Sequence, residues 1–426
     1  MRRPQNENGL STVNEMLQRP ACVLLVFASL AASGCGQPHA ANAPPVAPTI
    51  EITSIQVTRD AATFPFFGDL WANTWADDDL VYFSFGDGTG LTAAPTNDGV
   101  NPGAFVSPWV GATQPSSGCY HIPPAPANTP DPLWGLFCRT FDCSTASACY
   151  PLAHFTDSGL VVMSGAPPNF NSCPPAGCLV GVDLPNEPVP AGQWRNDDKI
   201  SSLLYVAGTL YYAGHSPSVT PTQGYIATST DKGKTWRIVA GTPWTGSSPF
   251  RVLMFINMGQ NYSLNSDGYA YAMGTPLELE KSFTTLQSVY LARVPVDSIA
   301  DYSKYMYLTA VGSDGTPNWS SSASSAIPLA GLSTLATGSA MYHAGTGQYL
   351  FLAGVSTSPS ATNPHGTLFA ALKPWGPWTN VGEIPGVNIS MFITKGAGPT
   401  TVFFTAAGGT DSYNLNVGRI DMVVSK

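Results

Sequence analysis

Short runs of alternating apolar and polar residues, bounded by turn-forming residues, recur from about residue 51 to the end of this chain. Alternation of this kind predicts strands that bury one face of a sheet, and long amphipathic helical patterns are absent from the sequence. Candidate turns are Asp157-Ser158-Gly159, Asp267-Gly268 and Gly345-Thr346-Gly347. The clearest strand candidates are Leu80–Phe85, Gly159–Met163, Leu203–Ala207, Thr209–Ala213, Tyr225–Ser229, Tyr269–Met273, Tyr349–Ala353, Leu368–Leu372 and Thr401–Ala406.

Strands spaced this evenly predict either two packed sheets or a β-propeller, in which small sheets repeat around an axis. Grouping the strands in fours, at intervals of roughly 70 residues, gives about five blades. We therefore expect an all-β fold, a five-bladed β-propeller of four-stranded blades that spans residues 51–426. We also expect the strand near Thr401–Ala406 to help close the ring on the first blade, because closure removes open sheet edges.

The composition restricts the partners that such a protein can bind. Only 11% of the 426 residues are charged, and 42 glycines and 38 prolines are typical of a turn-rich exported protein. The net charge is −9, and the 18 lysines and arginines form no basic cluster, which argues against nucleic acid as a partner. A neutral or cationic ligand fits better. We expect no cofactor, no bound metal ion and a monomer.

The N-terminus carries the pattern of an export signal. Arg2, Arg3 and Arg19 precede the apolar run from Ala21 to Ala32, which is too short to span a bilayer and has the composition of a signal-peptide core. Met16 is an alternative start, because the residues before it add nothing to this signal.

The segment Leu30-Ala31-Ala32-Ser33-Gly34-Cys35 resembles a bacterial lipobox, in which small residues precede a cysteine that is lipidated after cleavage. We therefore predict a signal peptide over residues 1–35, lipidation of Cys35, and an extended Pro/Ala-rich tether over residues 36–50. The alternative is an ordinary signal peptide with an incidental Cys35. The first interpretation predicts a bacterial membrane lipoprotein at the outer membrane or cell surface, attached through its lipid alone.

Six further cysteines cluster within residues 115–180, in a proline-rich segment. An even number of cysteines in an exported chain predicts disulfide bonds, whose connectivity the sequence does not determine. A zinc site is the alternative, but the segment contains no CxxC pair. We expect a disulfide-rich insertion on the propeller. Short loops favour three pairs, which are Cys119 with Cys138, Cys143 with Cys149, and Cys173 with Cys178.

Residues 229–236 read Ser-Thr-Asp-Lys-Gly-Lys-Thr-Trp and match the Asp-box pattern S/T-x-D-x-G-x-T-W at every defined position. This pattern resembles the hairpin turns of sialidase-like propeller blades, which implies that Asp231 satisfies turn amides and that Trp236 packs between strands. Both roles are structural. Sialidases usually carry several such boxes and an arginine triad, whereas this chain has one box. Phe250-Arg251-Val252 is only a faint echo of their arginine motif.

A second resemblance extends over nearly all of the chain after the tether. It rests on motifs that occur in a fixed order. They are Gly68-Asp69 and Gly86-Asp87 with 16 residues between the two pairs, then Val289–Pro295 with Ile299-Ala300-Asp301 and Tyr305, Gly315–Ser320, and Gly376–Thr379. Together they resemble the domain of unknown function 4185 family, although Gly88 stands where that family commonly has Thr. Some of its members are endo-D-arabinanases of glycoside hydrolase family 183, which are five-bladed propellers that cut arabinofuranose polymers. The resemblance implies a glycoside hydrolase acting on an arabinan-like or related furanoside polysaccharide.

The two Gly-Asp pairs flank one predicted hairpin. If Asp77-Asp78-Asp79 forms its tip, centred on Asp78, then Asp69 lies directly opposite Asp87. Directly opposed residues have Cβ atoms about 4.5–5.5 Å apart. Two carboxylates at that spacing repel, which raises one pKa and leaves one acid protonated beside one ionised, as glycosidic hydrolysis requires.

Guided by the resemblance, we assign Asp69 as base or nucleophile and Asp87 as general acid. Gly68 and Gly86 would let the backbone approach a ligand closely. The alternative is that both Gly-Asp pairs are turn chemistry at strand ends and have no catalytic role. We interpret Asp77–Asp79 as a solvated turn and not as a calcium site.

Seven other residues are candidates for substrate binding. The histidines and the arginine offer hydrogen bonds, and the tryptophans offer stacking faces for sugar rings. Each also has a structural alternative: hydrogen bonding within the fold for the histidines, a core ion pair for the arginine, and core packing for the tryptophans. Asn261 and Tyr262 are expected to reach the same axial mouth as the histidines. The seven are Trp71, Trp75, His215, Asn261, Tyr262, Arg293 and His343.

Three functions therefore remain open from the sequence. The first is a surface-anchored glycoside hydrolase with a polysaccharide substrate. The second is a non-catalytic propeller that binds glycan or protein at the cell surface. The third is a sialidase-like exo-glycosidase. That activity needs a cluster of arginines, and a total of only 18 lysines and arginines argues against it.

Overall fold

The computed structural model describes residues 50–90, 118–121, 136–139, 156–172, 199–216, 223–233, 235–276, 286–335, 337–353, 365–385, 390–407 and 414–425. The predicted signal peptide, Cys35 and almost all of the tether lie outside these residues, as do Cys143, Cys149, Cys173 and Cys178. The described part is all-β, as predicted, and its helical structure consists of single 3₁₀ turns. No helix within it is long and apolar enough to cross a membrane.

The strands follow one another with short connections wherever the chain is described. In chain order they are β1 (Glu51–Trp75), β2 (Val81–Gly90), β3 (Gly118–His121), β4 (Leu136–Arg139), β5 (Thr156–Ala166), β6 (Asn169–Ser172), β7 (Lys199–Val206), β8 (Thr209–Ser216), β9 (Gln223–Ser229), β10 (Arg237–Ile238), β11 (Val252–Asn257), β12 (Tyr269–Thr275), β13 (Gln287–Pro295), β14 (Met306–Val311), β15 (Pro317–Ser320), β16 (Pro328–Thr334), β17 (Gly338–His343), β18 (Gln348–Ala353), β19 (His365–Ala371), β20 (Thr379–Pro385), β21 (Ser390–Ile393), β22 (Thr401–Ala407) and β23 (Asn414–Ser425).

The sheets are built from runs of antiparallel strands in sequence order. One sheet has the order β21-β22-β23-β1-β2-β5-β6, a second has β10-β9-β8-β7, and a third joins β11–β15 to β17–β20 through a parallel pairing of β11 with β17. Strand β1 takes part in two runs, because its N-terminal half pairs with β23 and its C-terminal half pairs with β2. The beginning and the end of the described chain are thus joined by one strand.

The first strand of each run contacts the first strand of the next. The C-terminal half of β1 contacts β7, β7 contacts β11, β11 contacts β17, β17 contacts β21, and β21 contacts β1 again. This closed cycle is propeller-like. We call these five strands the first strands, and their cycle the ring.

Buried polar side chains connect the first strands to one another. The Thr74 hydroxyl donates to Asn257 Oδ1 at 3.1 Å, and the Asn73 amide donates to the Phe392 carbonyl at 2.9 Å. The Phe392 amide in turn donates to the Ser339 hydroxyl at 3.0 Å. Hydrogen bonds that satisfy buried groups fix the first strands relative to each other, so the residues at their ends have defined positions.

The ends of the first strands define two faces of the ring. The N-terminal face is where they begin, at Asp69 in β1, Lys199, Val252, Gly338 and Ser390. The C-terminal face is where they end, at Trp75, Val206, Asn257, His343 and Ile393. Because the strands within a run alternate in direction, the second strand of each run starts at the C-terminal face and ends at the N-terminal face.

The predicted strands are confirmed, with differences of a few residues at their ends. The predicted turn at Asp157-Ser158-Gly159 is wrong, because these residues lie inside β5. Gly159 is needed for packing: a Cβ atom there would lie 2.1 Å from the Phe85 ring. The closing strand also differs from the prediction: within the described residues β22 pairs with β21 and β23, and the last strand β23 makes the ladder with β1.

The Asp box has the structural role that the sequence predicted. Asp231 accepts hydrogen bonds from the Thr235 amide at 2.9 Å, the Thr235 hydroxyl at 2.6 Å and the Ser229 hydroxyl at 2.8 Å. Burial acts to raise its pKa, but the bonds from Thr235 and Ser229 outweigh it and lower the pKa to about 2. The Trp236 ring is buried and packs edge-on against Tyr212, with ring centroids 6.0 Å apart.

The range predicted for the insertion, residues 115–180, contains two described hairpins. One is β5 with β6, which extends the sheet of β1 and β2, so residues 156–172 belong to the scaffold and the predicted bounds are wrong there. The other is β3 with β4. Strands β3 and β4 form a separate two-stranded sheet in which Cys119 lies directly opposite Cys138. This register is the one that a bond between these two cysteines requires, and the bond itself stays a prediction.

Candidate functional site

The hairpin that carries both Gly-Asp pairs keeps the predicted register only near its tip. Trp75 lies opposite Val81 and Ala72 lies opposite Ser84, as a centre at Asp78 requires. Between Asp69 and Ala72 the ladder shifts, and Leu70 there has a left-handed φ of 59°. A bulge of this kind inserts one residue and changes the register of everything beyond it.

The shift removes the predicted pairing of the two acids. Asp69 lies opposite Gly86 and not opposite Asp87, so the expectation of two directly opposed carboxylates is wrong. Asp87 is one position further along β2, between Gly86 and Gly88, which pair with Ser158 and Thr156. Asp69 is partly buried, whereas the side chain of Asp87 lies outside the described part of the structure.

The glycine before Asp69 is explained by the fold itself. Gly68 has φ 154°, and a Cβ atom there would lie 3.1 Å from the Gly86 carbonyl and 3.0 Å from the Phe85 ring. The close approach that the sequence suggested is therefore an approach of two strands.

His215 lies at the N-terminal face, where β8 ends opposite Lys199. Its side chain is fully buried, and its Nδ1 shares a hydrogen bond of 2.8 Å with the Ser201 hydroxyl. Burial, followed by the positive charges of Arg251 and Lys199, lowers the pKa of His215 to about 3. The imidazole is therefore neutral at neutral pH and serves as a fixed hydrogen-bonding group.

Arg251 is a functional candidate that the sequence analysis passed over. It precedes β11 at the N-terminal face, is only 4% exposed, and donates from Nη1 to the Gly246 carbonyl at 3.2 Å. Its backbone packs on Gly224, the register partner of His215, where a Cβ atom would lie 2.3 Å from the Arg251 carbonyl oxygen. Its signal in the sequence is an arginine beside an apolar strand, which resembles the arginine motif of sialidases only faintly.

Asp69 lies at the same face, and the residue after it shares a buried cluster with residues of β7 and β9. Leu70, which follows Asp69, belongs to one buried cluster with Ile200 and Tyr225. Ile200 stands between Lys199 and Ser201, the partners of His215. We call Asp69, Lys199, His215, Tyr225 and Arg251 the N-terminal cluster.

Several buried polar atoms at this face have no hydrogen-bond partner within the described residues. They are Nε2 of His215, Oγ1 of Thr275 at the end of β12, and Oγ1 of Thr337 just before β17. Buried polar groups in folded proteins are nearly always satisfied, and exceptions concentrate where a ligand supplies the partner. The N-terminal face has the features of a site for a hydroxyl-rich ligand.

Four of the predicted binding residues lie instead at the C-terminal face. His343 ends β17, and its ring is held by the Thr346 hydroxyl at 2.9 Å and the Gly398 carbonyl at 2.9 Å. Asn261 Oδ1 accepts from the Ala207 amide at 2.8 Å. Tyr262 is buried, and Trp75 donates from Nε1 to Asp79 at 2.9 Å. The expectation that Asn261, Tyr262 and His343 share one mouth with His215 is therefore wrong.

The two remaining candidates are held within the fold. Trp71 is 1% exposed, donates to the Gly68 carbonyl at 3.0 Å and packs on Phe85, so it offers no stacking face to a sugar. Arg293 lies in β13, the third strand of its run, with its guanidinium 4.2 Å from the ring centroids of both Tyr269 and Trp319. Among the described residues Arg293 makes these cation–π contacts and a hydrogen bond with Tyr271, and the ion pair given as its structural alternative is absent there.

The Asp77–Asp79 turn is tied to the fold by two lysines. Lys232 pairs with Asp77 and, at 3.2 Å, with Asp78, while Lys395 pairs with Asp79 at 2.9 Å. The hydrogen bond from Lys395, followed by that from Trp75, lowers the pKa of Asp79. Among the described residues, no group of three or more His, Cys, Asp or Glu side chains is arranged to hold a metal ion.

Comparison with known families supports the resemblance that the sequence motifs indicate. Residues 207–389 match the model of the family described as domain of unknown function DUF4185, so the resemblance is confirmed for this segment. The segment contains His215 and Arg251, while Asp69 and Asp87 precede it. No curated protein matches the chain in sequence.

Several solved structures are similar to the chain at low identity. An α-L-arabinofuranosidase from Podospora anserina, solved with cellotriose, is 9% identical with a TM-score of 0.39, over 87% of this chain and 97% of that one. The GH43_1 enzyme from Xanthomonas citri, solved with xylotriose, is 11% identical with a TM-score of 0.42, over 86% and 92%. A protein of unknown function from Dyadobacter fermentans is 11% identical with a TM-score of 0.41, over 88% and 100%. Likenesses of this size do not identify an activity.

Proposed function

We propose that this protein is a glycoside hydrolase whose active site is the N-terminal cluster, and that it acts on an arabinan-like or related furanoside polysaccharide. The observation that carries the proposal is the gathering of Lys199, His215 and Arg251 at the N-terminal face, where Asp69 of β1 also lies. The substrate class comes from the family resemblance. A chain with a net charge of −9 and only 18 lysines and arginines suits an uncharged polymer better than an anionic one.

The scaffold in this proposal is a five-bladed propeller. Support comes from the five first strands, which contact one another in a closed cycle, and from β1, which joins the last run to the first. Propellers bind ligands at the mouth of the axis, where the first strands begin or end. Asp69, at the N-terminal face of the ring in β1, is therefore well placed for chemistry on a bound polysaccharide chain.

The chemistry requires one acid and one carboxylate. Asp87 donates a proton to the glycosidic oxygen as that bond breaks, and Asp69 either attacks the anomeric carbon or takes a proton from the attacking water. The positive charges of Arg251 and Lys199 at this face favour the ionised form of a nearby carboxylate. The neutral His215 ring orients a sugar hydroxyl through Nε2.

A non-catalytic glycan-binding propeller is the second candidate, and the register of the hairpin favours it. Asp69 lies opposite Gly86, so repulsion between two directly opposed carboxylates no longer explains how one acid could stay protonated at neutral pH. In this case the N-terminal cluster binds a glycan without cutting it.

The localisation remains part of the proposal. We propose that the chain is exported and anchored to a bacterial outer membrane or cell surface through a lipid on Cys35. The lipobox-like segment before Cys35 supports this, as does the apolar run from Ala21 to Ala32.

The deciding experiment digests D-arabinan, L-arabinan and galactan with the wild type and with the Asp69→Asn and Asp87→Asn variants, and sizes the products. General acid–base catalysis contributes about 10²- to 10⁴-fold, so each variant should lose at least about 10²-fold in rate while keeping its melting temperature. Asp297→Asn is the matched control, because Asp297 is an exposed turn residue that bonds only to Ser298 in the described part. If the wild type cuts nothing yet all variants bind a glycan equally, the protein is the binding module and not the enzyme.

A further inference from the structure

A cavity lies on the C-terminal face, away from the N-terminal cluster. It has a volume of about 540 Å³ and opens between the ends of β11 and β17 and the turn that follows β19. Sites for small ligands typically enclose about 300–1,000 Å³. The whole cavity falls inside residues 207–389, the segment that matches the family model.

Aromatic rings form its walls. Tyr342 and Tyr349 are cross-strand neighbours with ring centroids 5.1 Å apart, and both are partly exposed. Trp375 stands opposite in the chain turn after β19 and is also partly exposed. Its Nε1 donates to the Gly315 carbonyl at 3.1 Å, and its ring meets Trp319 edge-on at 6.5 Å. These contacts hold aromatic faces in place before any ligand arrives.

A fixed carboxylate lies among these rings. Asp267 accepts hydrogen bonds from the Tyr271 hydroxyl at 2.6 Å, the Tyr269 amide at 3.0 Å and the Asn265 amide at 3.2 Å. Burial, followed by the charge of Asp267, raises the pKa of Tyr349 to about 12, so this phenol stays a neutral hydrogen-bonding group. The cavity therefore offers both acceptors and donors at fixed positions.

The charges that line the cavity narrow the ligand class. A lone cation would meet Lys373, and a lone anion would meet Asp267, both of which line the cavity. A neutral polyhydroxyl compound avoids both conflicts, because its hydroxyls can donate to Asp267 and accept from Lys373. Its C–H faces can pack on the tyrosine and tryptophan rings.

We propose that this cavity is a second, non-catalytic glycan-binding site that takes a short stretch of a neutral oligosaccharide. It lies at the opposite face of the ring from Asp69, so one sugar unit cannot occupy both sites. Two sites on one protein raise the effective concentration of a polymer at each of them. The inference goes beyond the proposed hydrolase activity, because binding at the C-terminal face needs no catalysis at the N-terminal face.

The test uses the full chain with Asp69→Asn, which prevents digestion of the probe. Short oligosaccharides cut from D-arabinan, L-arabinan and galactan are titrated by calorimetry against this protein and against versions that also carry Trp375→Ala or Lys373→Ala. Lys373 is exposed, so its variant leaves packing intact. Tyr211→Ala is the matched control, a partly buried aromatic in the middle of β8 that belongs to neither site.

We expect Trp375→Ala to weaken binding at least about tenfold, as loss of a central aromatic contact does in other interfaces. Lys373→Ala should weaken binding to the same oligosaccharide by a smaller factor, and Tyr211→Ala should leave it unchanged. Equal affinity in all versions, or binding only of a quaternary ammonium compound such as choline, would overturn the inference.

Hydrolysis separates this inference from the proposed function. In the otherwise wild-type chain, Trp375→Ala should slow digestion of long polymer and leave digestion of short oligosaccharides unchanged. If the wild type cuts no polysaccharide and Trp375→Ala abolishes oligosaccharide binding, the hydrolase is refuted and the second site is supported.

Discussion

Replacing His215 by glutamine should make the stability of the protein less sensitive to acid. His215 is fully buried, and burial, with help from Arg251 and Lys199, lowers its pKa from 6.5 to about 3. As pH falls below 6.5, the unfolded chain takes up a proton at this residue and the folded chain does not, so folding is disfavoured. The effect is absent above pH 6.5 and grows as pH falls towards 3.

The magnitude follows from the pKa difference. Each pH unit between the two pKa values costs about 1.4 kcal/mol, so at pH 5 the folded state loses about 2 kcal/mol through His215 alone. The His215→Gln variant cannot take up this proton, and glutamine retains a group that can bond to the Ser201 hydroxyl. Between pH 8 and pH 5 the wild type should therefore lose about 2 kcal/mol more free energy of unfolding than the variant.

The measurement is urea unfolding at pH 8 and pH 5, followed by tryptophan fluorescence and circular dichroism on both proteins. Other groups, including His343, whose pKa burial also lowers, are common to both proteins and cancel in the double difference. Ser201→Ala is the control, because it removes a partner of His215 but leaves the burial and the two cations in place. A double difference near zero would mean that His215 is not buried beside Arg251 and Lys199, and the N-terminal cluster would lose its centre.

Three further predictions test the fold, the Asp box and the anchor. Gly159→Ala places a Cβ atom 2.1 Å from the Phe85 ring and should lower the free energy of unfolding by about 2 kcal/mol or more. The control Gly398→Ala, whose Cβ would lie 3.5 Å from its nearest neighbour, should lower the melting temperature less, and equal melting temperatures of the two variants would contradict the packing. Asp231→Ala should lower the free energy of unfolding by about 1–3 kcal/mol at pH 7. Because the pKa of Asp231 in the folded state is about 2, below the ordinary 3.8, this difference in stability from the wild type should persist above pH 3.8 and shrink as pH falls through 2; a difference that does not depend on pH would refute the role of the carboxylate. Cys35→Ser should move the protein from the membrane to the soluble fraction with its fold intact, because each buried CH₂ of a lipid contributes about 0.8 kcal/mol to attachment; unchanged fractionation would refute lipidation.

The strands could be predicted from the sequence because alternation reports directly on which residues face the core. The hairpin centred on Asp78 was placed correctly for the same reason, and its register holds from Ala72 to Trp75. What alternation cannot report is a bulge, because the left-handed φ of Leu70 leaves no mark on an apolar residue. The error at Asp69 is therefore an error of local backbone conformation.

The site was harder to predict because residue type does not reveal the end of the ring at which a residue lies. His215 and His343 look alike in sequence, since each ends a strand. His215 ends the second strand of its run and His343 ends the first strand of another, so they lie at opposite faces. Arg251 was missed for a related reason: a single cation beside an apolar strand becomes meaningful only when the ring places it beside His215.

The buried polar groups that find no partner within the described part of the chain bear on where a substrate would bind. At the C-terminal face, His343 is held by Thr346 and Gly398, and Asp79 is paired with Lys395. Within the described residues, His215 Nε2 and the Thr337 hydroxyl are buried without partners at the N-terminal face, and the Thr394 hydroxyl is so at the C-terminal face. A fold gains nothing from leaving such groups buried and unbonded, because each costs about 1–3 kcal/mol. Of these groups His215 is the one that also lies beside the two cations Arg251 and Lys199, and this combination is the reason to test the N-terminal face first for the proposed catalysis.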